Sequence, residues 1–76
     1  MKKISALIAG KHQTSISLEE EFYNELLEIA AAGNMSRNRL ITMIDRERKE
    51  TNLSSAIRLY ILRYYKERCI AAKKQP

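Results

Sequence analysis

Residues 11–44, KHQTSISLEEEFYNELLEIAAAGNMSRNRLITMI, pass from a two-residue alternation to two helical stripes separated by a sharp break, and that order decides the fold. His12, Thr14, Ile16 and Leu18 fall on one face of an extended strand, with Lys11, Gln13, Ser15 and Ser17 on the other. The first face is core-like and the second polar. β-branched Thr14 and Ile16 favour the extended state, and Gly10 marks a turn or bulge before it. Upstream, residues 1–10 form either an N-terminal arm or an extra strand over Ile4 to Ile8, joined to the first through Gly10 and Lys11 as a hairpin.

Ser17 followed by Glu20 has the spacing of a capping box, which starts a helix near Leu18. Phe22, Leu26, Ile29 and Ala30 make its apolar stripe, widened by Tyr23 and Leu27, and Gly33-Asn34 supplies a left-handed stop. The first helix therefore spans about 18–32. Ser36 caps a second, about 36–49, with Leu40, Ile41 and Ile44 facing the core and Met35 and Met43 beside them. Asn52 to Ser55 caps a third, about 53–70, striped by Leu53, Ala56, Ile57, Tyr60, Ile61 and Tyr64. Leu59, Leu62 and Tyr65 add apolar surface on its other sides, so this helix needs cover on more than one side, from the first two helices or from another subunit. Residues 71–76 read as a frayed tail.

The 76 residues make one domain, 1–76, of mainly α class. A short strand and two short helices do not bury their own apolar faces at this size, so the pattern predicts a partner chain, a homodimer. A lone cysteine, Cys69, and a lone histidine, His12, exclude an intrachain disulfide and a conventional zinc site. The apolar run in MKKISALIAG is too short for a signal peptide, and no segment reaches the roughly 18 apolar residues of a membrane span. The expected compartment is the cytoplasm.

The net charge of +5 is segregated. Residues 19–33 carry Glu19, Glu20, Glu21, Glu25 and Glu28 and no base, whereas 51–76 carry Arg58, Arg63, Lys66, Arg68, Lys73 and Lys74 against Glu67 alone. A molecule with one positive and one negative side suits a polyanion on the positive side; the plainer reading is a solvated basic helix face. No Gly-rich phosphate loop, paired-carboxylate constellation or nucleophile–base spacing is present, so the sequence does not read as an enzyme and calls for no cofactor or metal. His12 reads as a strand-edge residue, and Tyr60, Tyr64 and Tyr65 read as core rather than as a base-stacking platform.

The strand, the S-L-E-E-E-F entry, the first helix ending in A-G-N-M and Ser36 opening the next helix together resemble the ribbon-helix-helix superfamily of Arc/MetJ-type DNA-binding dimers. NLSSAIRLYILRYY extends the likeness to a variant bacterial subfamily in which T-S-[IV]-S-L-E and N-L-S-S-A recur, with an extra C-terminal helix. The resemblance implies that one short strand pairs across a homodimer into an antiparallel ribbon that reads the major groove. Gln13, Ser15 and Ser17 would then contact bases, and Lys11, Ser36, Arg37, Asn38 and Arg39 would contact phosphate. NLSSAIRLYI resembles the opening of the family's second helix almost as well as NMSRNRLITM does, which leaves Asn52 to Ser55 as the other place for the phosphate clamp. Many repressors of this type carry Arg or Lys at the outward strand positions, where this strand offers Gln, Ser and Ser. The implied function is a sequence-specific, homodimeric transcriptional regulator, a repressor; the alternative is a protein-interaction module of the same fold, antitoxin-like or a scaffold, that docks a partner on its third helix.

Overall fold

The computed structural model describes residues 1–10, 12–49 and 51–73, the last four through their backbone alone. Two strands, β1 (Lys2–Ile8) and β2 (His12–Leu18), are followed by three helices, α1 (Glu20–Ala32), α2 (Arg37–Glu47) and α3 (Leu53–Lys73). β1 and β2 pair antiparallel with Lys2 opposite Leu18, Ile4 opposite Ile16 and Ile8 opposite His12. The two strands form a hairpin within the chain, and β1 is the extra strand that the sequence reading allowed over Ile4 to Ile8. The reason lies in residues 2–8: Ile4, Ala6 and Ile8 are buried while Lys2, Lys3, Ser5 and Leu7 are exposed, the same alternation that β2 shows. The turn bends through Ala9 and Gly10, whose φ angles of 54° and 70° match the twist of a tight hairpin. The Ala9 amide donates to Thr42 Oγ1 of α2 at 3.1 Å.

Inside the hairpin lie Ile4, Ala6, Ile8, Ile16 and Leu18, packed on Leu26 and Ile29 of α1, Leu40, Ile41 and Ile44 of α2, and Ala56, Ile57 and Ile61 of α3. A second strand and a third helix supply the apolar area that a lone strand and two helices lack. The wide stripe of α3 finds cover against α1, α2 and β2 in its own chain. Tyr60 and Tyr64 are half-buried at the margin of the core, and Tyr65 reaches α1, where its hydroxyl donates to Glu25 Oε2 at 2.9 Å. That hydrogen bond to a carboxylate pushes the Tyr65 pKa above its ordinary 10.0.

The start of α1 and the ends of α2, at Glu47 instead of 49, and α3, at Lys73 instead of 70, differ from the sequence reading, whereas α1 ends at Ala32 as expected. Ser17 does not cap α1, because β2 continues through Leu18 and buries it; α1 begins at Glu20, with Glu19 at the cap position and no side-chain cap bond. The Glu19 carboxylate turns instead to Arg58 of α3, at 2.9 Å. At the far end of α1 the left-handed residue is Asn34, with φ 55°, whereas Gly33 has φ −88°. The Asn34 amide donates to the Ala31 carbonyl at 3.0 Å and the Met35 amide to the Ala30 carbonyl at 2.9 Å, the two bonds of a Schellman motif. α2 starts as expected, with Ser36 Oγ accepting from the Arg39 amide at 3.1 Å. α3 continues past residue 70 to Lys73, so the expected tail is helical at its start; residues 74–76 lie outside the described residues.

Candidate nucleic-acid interface

The outward face of the hairpin carries three cross-strand pairs, Lys3–Ser17, Ser5–Ser15 and Leu7–Gln13. All of these are exposed except Ser17, which is half-buried. Gln13 and Ser15 are therefore exposed on the outward face of the hairpin. β1 adds Lys3, Ser5 and Leu7, which the sequence reading missed. The signal was present in the alternation of Lys3, Ser5 and Leu7 with Ile4, Ala6 and Ile8, and it supplies the cation that β2 lacks.

The Ser5 carbonyl and the Ser17 amide and carbonyl turn to the outer edges of the hairpin. Both edges meet a helix. On the β1 side, Arg37 at the first position of α2 donates from Nη2 to the Ser5 carbonyl at 3.0 Å and from Nη1 to Tyr23 Oη at 3.3 Å. On the β2 side, the Ser17 amide donates to Ser54 Oγ in the first turn of α3 at 3.3 Å, and Arg58 Nη2 donates to the Ser17 carbonyl at 3.4 Å. Asn52 caps that helix, its Oδ1 accepting from the Ser55 amide at 3.2 Å. The two alternative clamps of the sequence reading, Ser36 to Asn38 and Asn52 to Ser55, thus stand at opposite edges of the same ribbon. Next to the β2 edge, an open groove of about 450 Å³ runs between His12, Thr14 and Ser15 and the α2–α3 connection, where Asp45 and Arg48 pair at 2.9 Å.

The expected phosphate residues are placed unequally. The Ser36 hydroxyl is committed to its cap, and the Arg37 guanidinium ties α2 to β1 and α1. Asn38 is half-buried, with its Oδ1 buried and without a hydrogen-bond partner. Arg39 is exposed. The amides of Arg37 and Asn38 belong to the first turn of α2, where a helix has no acceptor of its own to offer. Lys11 lies outside the described residues.

The electrostatic pattern is likewise organised by the third helix. Arg58 holds Glu19 at the α1 entry, and its hydrogen bond to the carboxylate lowers the Glu19 pKa from the ordinary 4.5. Beyond it, the Arg68 guanidinium stacks over the Tyr64 ring, 3.7 Å from its centroid, and Cys69 is exposed. Among the described residues, no helix is long and apolar enough to cross a membrane.

No curated protein and no solved structure matches the chain. A family model described as a ribbon-helix-helix domain matches residues 1–65, which takes in both strands of the hairpin, α1, α2 and the packed half of α3. The chain belongs to the ribbon-helix-helix family.

Proposed function

We propose that this protein is a sequence-specific DNA-binding regulator that lays the outward face of its hairpin in the major groove. The observation that carries this reading is the framing of that face: a row of side chains, polar except for Leu7, has the first turn of a helix at each edge, α2 beside β1 and α3 beside β2. A two-stranded ribbon fits the width of the major groove, and helix N-termini suit the phosphates that border it. Gln13, Ser15 and Ser17 are the base-reading residues from β2; the amides of Ser36 to Asn38 and the Arg39 side chain meet phosphate. Ribbon-helix-helix proteins are generally DNA-binding regulators or antitoxins, and the family is non-enzymatic. In this reading the protein acts in the cytoplasm as a homodimeric repressor, each chain bringing its own hairpin.

Fluorescence anisotropy with a labelled duplex tests it. Binding is expected to weaken steeply with salt, the log–log slope rising by about 0.9 for every phosphate neutralised. An absence of duplex binding at low ionic strength overturns the reading.

A second reading, an antitoxin-like interaction module, draws on one observation: Leu62 and Tyr65 of α3 remain 53% and 40% exposed on the finished fold. Its signature is a stoichiometric protein partner retained in high salt together with failure to bind duplex at low salt.

A further inference from the structure

We infer that two copies of this protein meet along a seam on α3, formed by Leu62, Tyr65 and Cys69, with their third helices parallel about a two-fold axis. Ribbon-helix-helix domains typically dimerise, and the third helix adds this surface to the domain. The contact uses no residue of the hairpin, so it does not depend on DNA binding and stands beside any pairing of strands between copies.

Arg58, Leu62, Tyr65 and Cys69 follow one another along α3 at intervals of four, three and four residues, which places them on one stripe of the helix. Arg58 is fastened to Glu19 at 2.9 Å and the Tyr65 hydroxyl to Glu25 at 2.9 Å. The stripe therefore runs along α1, with both helices pointing the same way. Past Arg58 it is apolar and open: Leu62 is 53% exposed and Tyr65 40%, and Cys69 is exposed as well. Apolar side chains left side by side in water, on helices whose other stripes are buried, mark a contact surface.

The charges beside the seam select a second copy as the partner. On its α1 side lie Glu25 and, one turn on, Glu28; on the side away from α1 lie Lys66 and Arg63, both exposed. A two-fold axis running along the seam lays the acidic edge of one copy against the basic edge of the other, so that glutamate meets lysine on both sides. An axis across the seam would turn the helices antiparallel and set acid against acid and base against base. The parallel pairing is the complementary one, and it brings Leu62 to Leu62 and Cys69 to Cys69 across the axis. Packed helices lie about 8–10 Å apart, which brings facing cysteines within the roughly 4.4–6.8 Å between Cα atoms that a disulfide spans.

Disulfide formation reads this contact directly, because Cys69 is the only cysteine of the chain. The full chain is oxidised mildly with diamide and followed on non-reducing gels, beside light scattering of the reduced protein over a range of concentrations. The expected result is an oligomer in which Cys69 links two chains. Leu62→Lys should slow the linking roughly tenfold or more, the loss of a buried leucine. Glu28→Lys and Lys66→Glu should each slow it about two- to fivefold, the worth of an exposed ion pair, and the two changes together should restore it. All three side chains are exposed, and a thermal melt checks that the variants remain folded. A reduced chain that stays monomeric at every concentration overturns the inference. So does an oligomer whose Cys69 links no faster than in Leu62→Lys, which places the contact between copies elsewhere. A double variant as slow as the single ones overturns the parallel arrangement. A chain that links poorly alone and holds a different protein through Leu62 overturns the inference in favour of the interaction module.

Discussion

The amide of Ser17 donates to Ser54 Oγ across a gap of 37 positions in sequence, and the first turn of α3 thereby stands where another strand would otherwise add to β2. Exposed strand edges invite further pairing, and covering them with a helix is one way a small sheet stays closed. Ser54→Ala leaves this amide without its side-chain acceptor. The expected loss of stability is about 1 kcal/mol, accompanied by faster hydrogen exchange at Ser17 with little change at Ile16, whose amide lies in the hairpin ladder. Unchanged exchange at Ser17 would count against edge closure by α3.

The turn makes a separate demand. A Cβ added at Gly10 meets no atom within 4 Å, so any cost of Gly10→Ala comes from its φ of 70° alone. That cost should be about 1 kcal/mol, a fall of roughly 4–8 °C in the melting midpoint of a domain this size. Ala9, with φ 54°, already carries this strain, so Ala9→Gly should raise the midpoint, by a smaller amount because glycine also loosens the unfolded chain. Opposite signs at two adjacent positions in a calorimetric scan are the check.

At the end of α1 the left-handed position is filled by asparagine. Asn34→Gly should stabilise the protein by a few tenths of a kcal/mol up to about 1, and Asn34→Ala should destabilise it by about the same amount. If Gly33, the other residue of the Gly33-Asn34 stop, were the left-handed one, Gly33→Ala would be the more costly change; urea midpoints for the three variants decide between them.

Arg37 and Arg39 are two positions apart and should behave differently. Arg37 bonds Ser5 and Tyr23, so Arg37→Ala should lower thermal stability by about 1–2 kcal/mol as well as weaken duplex binding. Arg39 is exposed, and Arg39→Ala should leave the melting midpoint unchanged while weakening all duplexes alike and reducing the salt slope by about one. Equal melting midpoints for the two variants would remove Arg37 from its place as the tie between α2 and β1.

The Glu19–Arg58 pair gives a pH dependence of known sign. The carboxyl holds its proton less tightly in the folded chain than in the unfolded one, since Arg58 lowers its pKa from 4.5. The pair's contribution is therefore present in full above about 4.5 and is lost as the pH falls through the lower, folded value. Urea midpoints of the parent and of Glu19→Gln should differ at pH 7 and converge as the pH falls below the folded value. A difference that does not change with pH would assign the effect to packing instead of charge.

Most of the fold was legible in the chain because its signals are local. The alternation in residues 12–18, the stripes of Leu26 and Ile29, of Leu40, Ile41 and Ile44, and of Ile57 and Ile61, and the Ser36 and Asn52 caps are set by the periods of strand and helix and by the needs of orphan amides. These place the outward positions Gln13 and Ser15 and the start of α2 without reference to anything distant. The tertiary structure decided what joins those pieces. β2 pairs with residues 2–8 because the short turn through Ala9 and Gly10 brings the two segments together. The same holds for side chains with a choice of partner: Ser17 against α1 or Ser54, Glu19 as a cap or as the mate of Arg58, Arg37 toward phosphate or toward Ser5. Each of these pairs is separated by many residues, so the periodicity of no single segment encodes it, and only the packed arrangement of hairpin and helices selects the partner.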